Sequence, residues 1–318
     1  MNKNIKLVLT TATLALLLVS CRGGRGRGST TAYPTTGEQP TVQPTSGVPT
    51  SGTSLVPTSG TETSGTTFNP TSETSVDSST QTSEEPITSV DPGDYYGGIS
   101  DSLTGQSLTN ALHSLNANKR KRTVGYKAML NDPANGFYIT DPGNGKNTIT
   151  TFYSGNSNNG TSGLNREHVW PNSRGGGKVE ADIHMPRPTL NAENGSRGNS
   201  FYVEGKKSST SGWDPAAESF GKESYRGDSA RIIFYCCIAD TALTLIDEEN
   251  DNQNNNTMGK LSDLLKWNLK YPVLEREQVR NAGAETLQGN RNPFIDHPEY
   301  ACRIWGNTNS TTRQICGM

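Results

Sequence analysis

The sequence predicts an α+β domain behind a long polar tether, and three observations carry that prediction. Apolar residues are few: 31% of the 318 residues are hydrophobic, below the ~45–50% typical of globular chains when Gly is counted with them. They are also unevenly placed, because 47 of the 71 residues from Arg22 to Pro92 are Ser, Thr, Gly or Pro. Beyond Gly93, β-branched and aromatic runs come early and leucines at helical spacing come late, the order of an α+β chain.

A leader opens the chain. Lys3 and Lys6 precede a mostly apolar run, Leu7 to Val19, which is too short for an ordinary spanning helix and is built like an export signal. It ends in Leu18-Val19-Ser20-Cys21, which resembles the bacterial lipobox. The resemblance implies a signal peptide over 1–20 and acylation of Cys21 with diacylglycerol- and palmitate-type chains. Each buried methylene contributes ~0.8 kcal/mol, so two or more acyl chains hold a protein durably on a bilayer, here facing outside. Residues 21–92 then read as a disordered tether with loose Pro-Thr-Ser-Gly repeats at 44–47, 49–52 and 57–60. Too little apolar surface is available there to offset the entropy of ordering. About 70 flexible residues have an r.m.s. reach on the order of 45 Å. Arg22 to Gly28 looks like an RNA-binding Arg/Gly tract, but a positive segment beside a lipid meets anionic headgroups or nothing.

The compact part is expected over 93–306, with 307–318 as a C-terminal tail. Leu108, Leu112 and Leu115 have the spacing of one helix face, after Thr104 and Ser107 as candidate caps. Thr148–Tyr153 reads as a strand, Ser154–Gly163 as a loop, and Leu164–Trp170 as a second strand stopped by Pro171. Asp228 is expected to cap a helix running to about Leu245. The acidic and Asn-rich stretch from Asp247 to Asn256 is a solvated loop. Leu261, Leu264 and Leu265 open a helix ended by Pro272, and another covers about 274–287. Cys236 and Cys237 read as small helix residues, at least one of them in the core. Cys302 and Cys316 either close a disulfide, contributing ~3 kcal/mol in the chain-entropy model, or stay as thiols. No Cys or His spacing marks a structural zinc site.

Only one apolar run exists and it is short, which excludes a polytopic membrane protein. Of the 29 basic and 31 acidic residues, 5 and 7 precede Gly93, leaving 24 of each for the folded part. Bulk charge therefore argues for no nucleic-acid partner, and any such claim must rest on local chemistry.

That chemistry lies within some thirty residues. Asn165-Arg-Glu-His-Val-Trp-Pro171 sets a carboxylate beside an imidazole; Asp182-Ile-His184 follows, then Asn191-Ala-Glu-Asn-Gly-Ser-Arg-Gly-Asn199. An imidazole with an unperturbed pKa near 6.5 takes a proton from water at neutral pH. A carboxylate with an amide oxygen suits a hard cation such as Mg²⁺, with Mn²⁺ or Ca²⁺ as substitutes. Guanidinium groups hold phosphate oxygens in a fork. Together these groups match metal-assisted phosphodiester hydrolysis.

This stretch resembles the bacterial endonuclease I family, nonspecific nucleases with a ββα-metal (His-Me finger) core. The matching residues are Asn165 to Pro171, Asp182, His184, Pro188, and Asn194-Gly-Ser-Arg-Gly-Asn199. A second, distant match comprises Arg280-Asn281, Gln288 to Pro298, and Trp305. The resemblance spans roughly 94–306. It implies His168 as general base, Glu167 and Asn194 as ligands of one Mg²⁺, and Arg187, Arg174 and Arg197 as phosphate contacts. Asp182 and His184 either orient neighbours or bind metal. The implied protein is an anchored extracellular endonuclease, monomeric, acting on DNA and RNA through the backbone and leaving 5′-phosphate ends. The alternative is a non-catalytic surface lipoprotein that binds nucleic acid or host ligands on a nuclease-like fold.

Several features depart from the family pattern or leave a choice open. Many members read His-His-Leu or His-Asn-Leu where this chain has His184-Met185-Pro186, and the carboxylate common near the Asn is Glu193, shifted by a position. Glu167 and His168 are neighbours, and strand neighbours face opposite sides, so the strand must twist or end at His168 for both to serve one site. His113 reads as structural, His297 as loop architecture, and Asn290 and Arg291 as braces of the site or of the C-terminal loop. Lys119 to Arg122, the most basic run, either touches DNA or is a solvated helix end.

Overall fold

A computed structural model of the chain describes residues 93–207, 212–250, 252 and 255–318. The expected signal peptide, Cys21 and the tether lie outside them. The described part opens with a single 3₁₀ turn, Gly93–Tyr96, and helix α1 (Gly105–Lys119). Leu108 and Leu112 bury one face of α1, as their spacing requires. Thr104 occupies the N-cap without a side-chain capping bond; the Ser107 hydroxyl instead donates to its carbonyl at 2.7 Å. Two short helices follow, α2 (Tyr126–Asn131) and α3 (Phe137–Thr140).

Strands β1 (Thr148–Thr150) and β2 (Ser157–Asn159) form an antiparallel pair. β1 ends before Tyr153 because the chain turns there, with Tyr153 in the left-handed region at φ +72°. Next come β3 (Leu164–His168) and β4 (Pro186–Leu190), antiparallel from Leu164 opposite Leu190 to His168 opposite Pro186. Helix α4 (Asn191–Arg197) starts on the residue after β4. β3 stops two residues short of the predicted Trp170. The carbonyls of His168 and Val169 accept from Arg197 at 2.9 and 2.8 Å, so a side chain takes their hydrogen bonds in place of a ladder.

The remainder comprises β5 (Phe201–Tyr202) parallel to β6 (Gly212–Trp213), α5 (Tyr225–Ala239), β7 (Thr244–Ile246) parallel to β8 (Thr257–Lys260), and α6 (Leu261–Lys270). After these come α7 (Glu275–Gln288), α8 (Pro293–Asp296), α9 (Tyr300–Trp305) and α10 (Ser310–Ile315). Helices and two-stranded sheets are thus interleaved in an α+β fold, not segregated into early strands and late helices. Helix α5 begins before Asp228 and ends before Leu245, which belongs to β7. Asp228 is no cap: its carboxylate lies inside the first turn, paired with Arg276 at 2.9 Å. Among the described residues no helix is long and apolar enough to cross a membrane.

The β3–β4 hairpin lies between two apolar clusters. Val169, Trp170 and Met185 join the larger one, built on α5 and α6, while Leu164 and Ile183 join a smaller one with Phe137, Ile149 and Leu287. Cys236 and Cys237 are buried, free thiols within α5. Cys302 and Cys316 are joined as a disulfide, so residues 307–318 are tied back and include α10, packed against α6.

The distant second motif meets the first through buried polar groups. Asp182 accepts from Gln288 Nε2 and Tyr235 OH, each at 2.6 Å, from Arg120 at 3.1 Å, and from the His184 backbone N–H. His184 Nε2 lies 3.0 Å from the Asn290 carbonyl. Arg280, on α7, donates to the carbonyls of Ile183 and Pro186 and to Asp141, and thereby pins the start of β4. Arg291 is engaged by Asp296 and Glu285, so it braces the C-terminal loop. In the basic run, Arg120 is held by Asp182 and Arg122 by the Leu287 carbonyl, leaving Lys119 and Lys121 exposed.

Candidate active site

Strand β3 delivers Glu167 and His168 at its very end, and α4 delivers Asn194 and Arg197 one turn apart. Because the ladder stops at His168, the two strand neighbours need not diverge across a continuing sheet. Glu167, His168, Asn194, Arg197, Gly198 and Asn199 line one cleft of about 230 Å³.

The two oxygens of Glu167 are treated differently. The side chain is fully buried. Oε1 accepts from Tyr153 OH at 3.0 Å and lies 3.3 Å from Arg197 Nη1, whereas Oε2 is buried with no partner. Burial raises the carboxyl's pKa, and the Arg197 charge and the Tyr153 hydrogen bond oppose that rise. Tyr153 itself is held by Tyr202, with 2.5 Å between the hydroxyls. A bulky residue at φ +72° costs on the order of 1–3 kcal/mol, and such strain concentrates at functional sites.

An orphaned carboxylate oxygen in a buried site is what a divalent cation relieves. Among the described residues no group of three or more His, Cys, Asp or Glu is able to hold a metal ion. One carboxylate oxygen with one amide, Asn194, fits Mg²⁺, which keeps most of its waters and takes the rest of its ligands from substrate phosphate.

His168 is half-buried, and burial lowers its pKa below the usual 6.5, with the Glu180 carboxylate opposing that shift. The ring is therefore neutral at pH 7. Nε2 lies 3.7 Å from Glu180 Oε2, which is itself fixed by Asn172 Nδ2 at 2.9 Å. Nδ1 lies 3.4 Å from the Tyr126 hydroxyl, and the two rings pack 4.9 Å apart. Nε2 is thus buried without a hydrogen-bond partner, its nearest carboxylate lying beyond hydrogen-bond distance.

The expected arginines have protein partners. Arg197 is buried on the carbonyls of His168, Val169 and Gly198. Arg174 is buried on the carbonyls of Asn199, Asn252 and Asn250. Arg187, opposite Glu167 in the ladder, is buried against Asp141 at 3.0 Å and Asp228 at 3.7 Å. Phosphate contact by these three thus meets a physical obstacle, since their donors already serve the fold. Asp182 and His184 lie in the buried network that joins the motifs and are not among the cleft's lining. Glu193 is buried and accepts from Thr189 at 3.0 Å, so it serves the start of α4 and not the cleft. His113 Nδ1 lies 2.7 Å from the Ile238 carbonyl, and His297 stacks on Tyr300.

Sequence reasoning missed Tyr126, Tyr153, Tyr202 and Glu180. The tyrosines come from other segments, and Glu180 is one carboxylate in a loop with no pattern around it, so no local signal marked any of them.

Comparison with known proteins bears on this site. A family model described as Endonuclease I matches residues 137–299. An extracellular ribonuclease of Bacillus amyloliquefaciens is 36% identical over 252 residues, covering 71% of this chain and 83% of that protein. An extracellular ribonuclease of Bacillus subtilis (strain 168) is 34% identical over 244 residues, 68% of this chain and 79% of that protein.

Proposed function

The chain belongs to the endonuclease I family, and from that premise we propose that it is a secreted, Mg²⁺-dependent endonuclease cleaving RNA and DNA phosphodiesters without sequence preference. The observation that carries this reading is the partnerless Oε2 of Glu167, in one cleft with a neutral imidazole and the Asn194 amide. The names of the two Bacillus relatives support RNA as a substrate alongside DNA.

The His168 imidazole takes a proton from the attacking water, with the Glu180 carboxylate 3.7 Å from Nε2 stabilising the charge that forms. Glu167 Oε2 and the Asn194 side-chain oxygen would hold the cation, which would supply positive charge to offset the negative charge developing at the phosphodiester. Tyr153 and Arg197 orient Glu167 through Oε1. Arg197 acts as a brace of the cleft wall, and Arg174 and Arg187 as buried braces of the fold around it. The products carry 5′-phosphate and 3′-hydroxyl ends. The lipobox at Cys21 supports attachment to the outer face of the membrane; palmitate labelling lost in Cys21→Ser checks that part.

The test is cleavage of plasmid DNA and of RNA with Mg²⁺, with and without EDTA, by wild type and His168→Ala. Wild type cleaves both, EDTA stops it, and the variant loses roughly 10²–10⁴-fold in rate, the usual contribution of a positioned base. Undiminished activity in His168→Ala refutes the mechanism.

A further inference from the structure

Arg166, on β3 two residues before His168, stands apart from the other arginines of this hairpin. No hydrogen bond or ion pair reaches its guanidinium among the described residues, and its Nε is buried without an acceptor. Arg174, Arg187 and Arg197 have each found carbonyls or carboxylates. A guanidinium left open amid such thorough pairing is arranged for an acceptor that comes from outside.

Its position points to which acceptor. Arg166 and His168 are two apart on β3, and both side chains meet the Tyr126 ring. The guanidinium carbon lies 4.3 Å over the Tyr126 ring, and the same tyrosine packs on His168. Tyr126 thus fixes the guanidinium plane beside the general base. Stacking occupies one face of the group, and with Nε buried the two terminal Nη donors are the ones left to grip two phosphate oxygens. Two residues of strand span roughly 6.7 Å, a separation comparable to that of consecutive phosphates in a nucleic-acid strand.

We propose that Arg166, seated on Tyr126, forms a subsite for the backbone phosphate adjacent to the scissile one. The proposal rests on the nuclease reading and adds to it the group that grips the strand beside the cut. A neighbouring phosphate is not consumed in the reaction, so its contact strengthens ground state and transition state alike and appears in KM more than in kcat.

The experiment compares wild type, Arg166→Ala and Arg166→Lys on two substrates with Mg²⁺: a dinucleoside monophosphate, which has only the scissile phosphate, and a trinucleotide with two. For Arg166→Ala, kcat/KM on the trinucleotide falls roughly tenfold or more beyond any fall on the dinucleoside, the scale of a charge-assisted hydrogen bond, and the loss is in KM. Arg166→Lys recovers part of it. Equal losses on both substrates, or a loss in kcat alone, overturn the subsite and leave Arg166 as a brace of Tyr126. A second arm needs no catalysis. A fluorescent oligonucleotide binds His168→Ala protein roughly tenfold more weakly when Arg166→Ala is added, and the salt slope becomes shallower by about one. Unchanged binding and slope overturn the proposal. Wild type that fails to cleave while binding still depends on Arg166 removes the nuclease reading and keeps the subsite.

Discussion

The Tyr153 phenol donates to Oε1 of Glu167 at 3.0 Å, while Oε2 of the same carboxylate is buried without a hydrogen-bond partner. A ligand oxygen oriented through its twin is sensitive to loss of that donor. Tyr153→Phe should raise the Mg²⁺ concentration for half-maximal cleavage by ~10–100-fold, the usual effect of removing an outer partner of a metal ligand. Titrating the cleavage rate with Mg²⁺ measures this, and an unchanged midpoint denies Tyr153 the orienting role.

The Glu180 carboxylate raises the pKa of His168 against the lowering by burial. Removing its charge with Glu180→Gln lowers that pKa further. The neutral imidazole then persists to lower pH, so the acid limb of the kcat/KM profile moves to lower pH, and the plateau falls severalfold because the base is weaker. A pH–rate profile that keeps its acid limb would assign that limb to another group.

His184 is fully buried, and burial pulls its pKa down to about 4. An unfolded chain protonates this ring near pH 6.5 while the folded chain does not. Stability from the neutral ring is therefore complete above about pH 6.5, declines as pH falls toward about 4, and declines no further below that. The loss is on the order of 3 kcal/mol over that window. Urea unfolding at pH 7, 5.5 and 4 should show it in wild type and much less of it in His184→Gln.

The Cys302–Cys316 bridge closes a loop with 14 positions between its ends. Replacing both by Ser should cost about 3 kcal/mol of unfolding free energy in the chain-entropy model. None of the residues it ties down lines the cleft, so cleavage at 25 °C should continue while the denaturation midpoint drops. Equal midpoints for wild type and the double variant would show that the loop ends are already held by the packing of α10 on α6.

Long-range pairing decided what the sequence could reveal. Leu108 and Leu112 announced α1 because a buried helix face repeats at a fixed interval. Glu167, His168 and Asn194 were readable as a set because a hairpin running straight into a helix gathers residues that lie within thirty positions. Tyr153 and Tyr202 were not readable, since an isolated tyrosine in sequence carries no sign of the carboxylate it will meet. The arginines illustrate the same limit. Residue type gave Arg174, Arg187 and Arg197 a capacity for phosphate, but which guanidinium groups the fold has already engaged depends on carbonyls up to 78 positions away. Asp228 was misread as a cap for a related reason: its partners, Arg187 and Arg276, are 41 and 48 positions off, and an ion pair drew it inside the helix.

Arg280 secures the first residue of β4 from 94 positions downstream. Synthesis delivers every residue of the Asn165–Asn199 motif before Arg280 exists, so a nascent chain carries the reactive groups on a hairpin whose second strand is still loose. The anchor of β4 thus arrives only with the last part of the polypeptide, after all of that motif has been made.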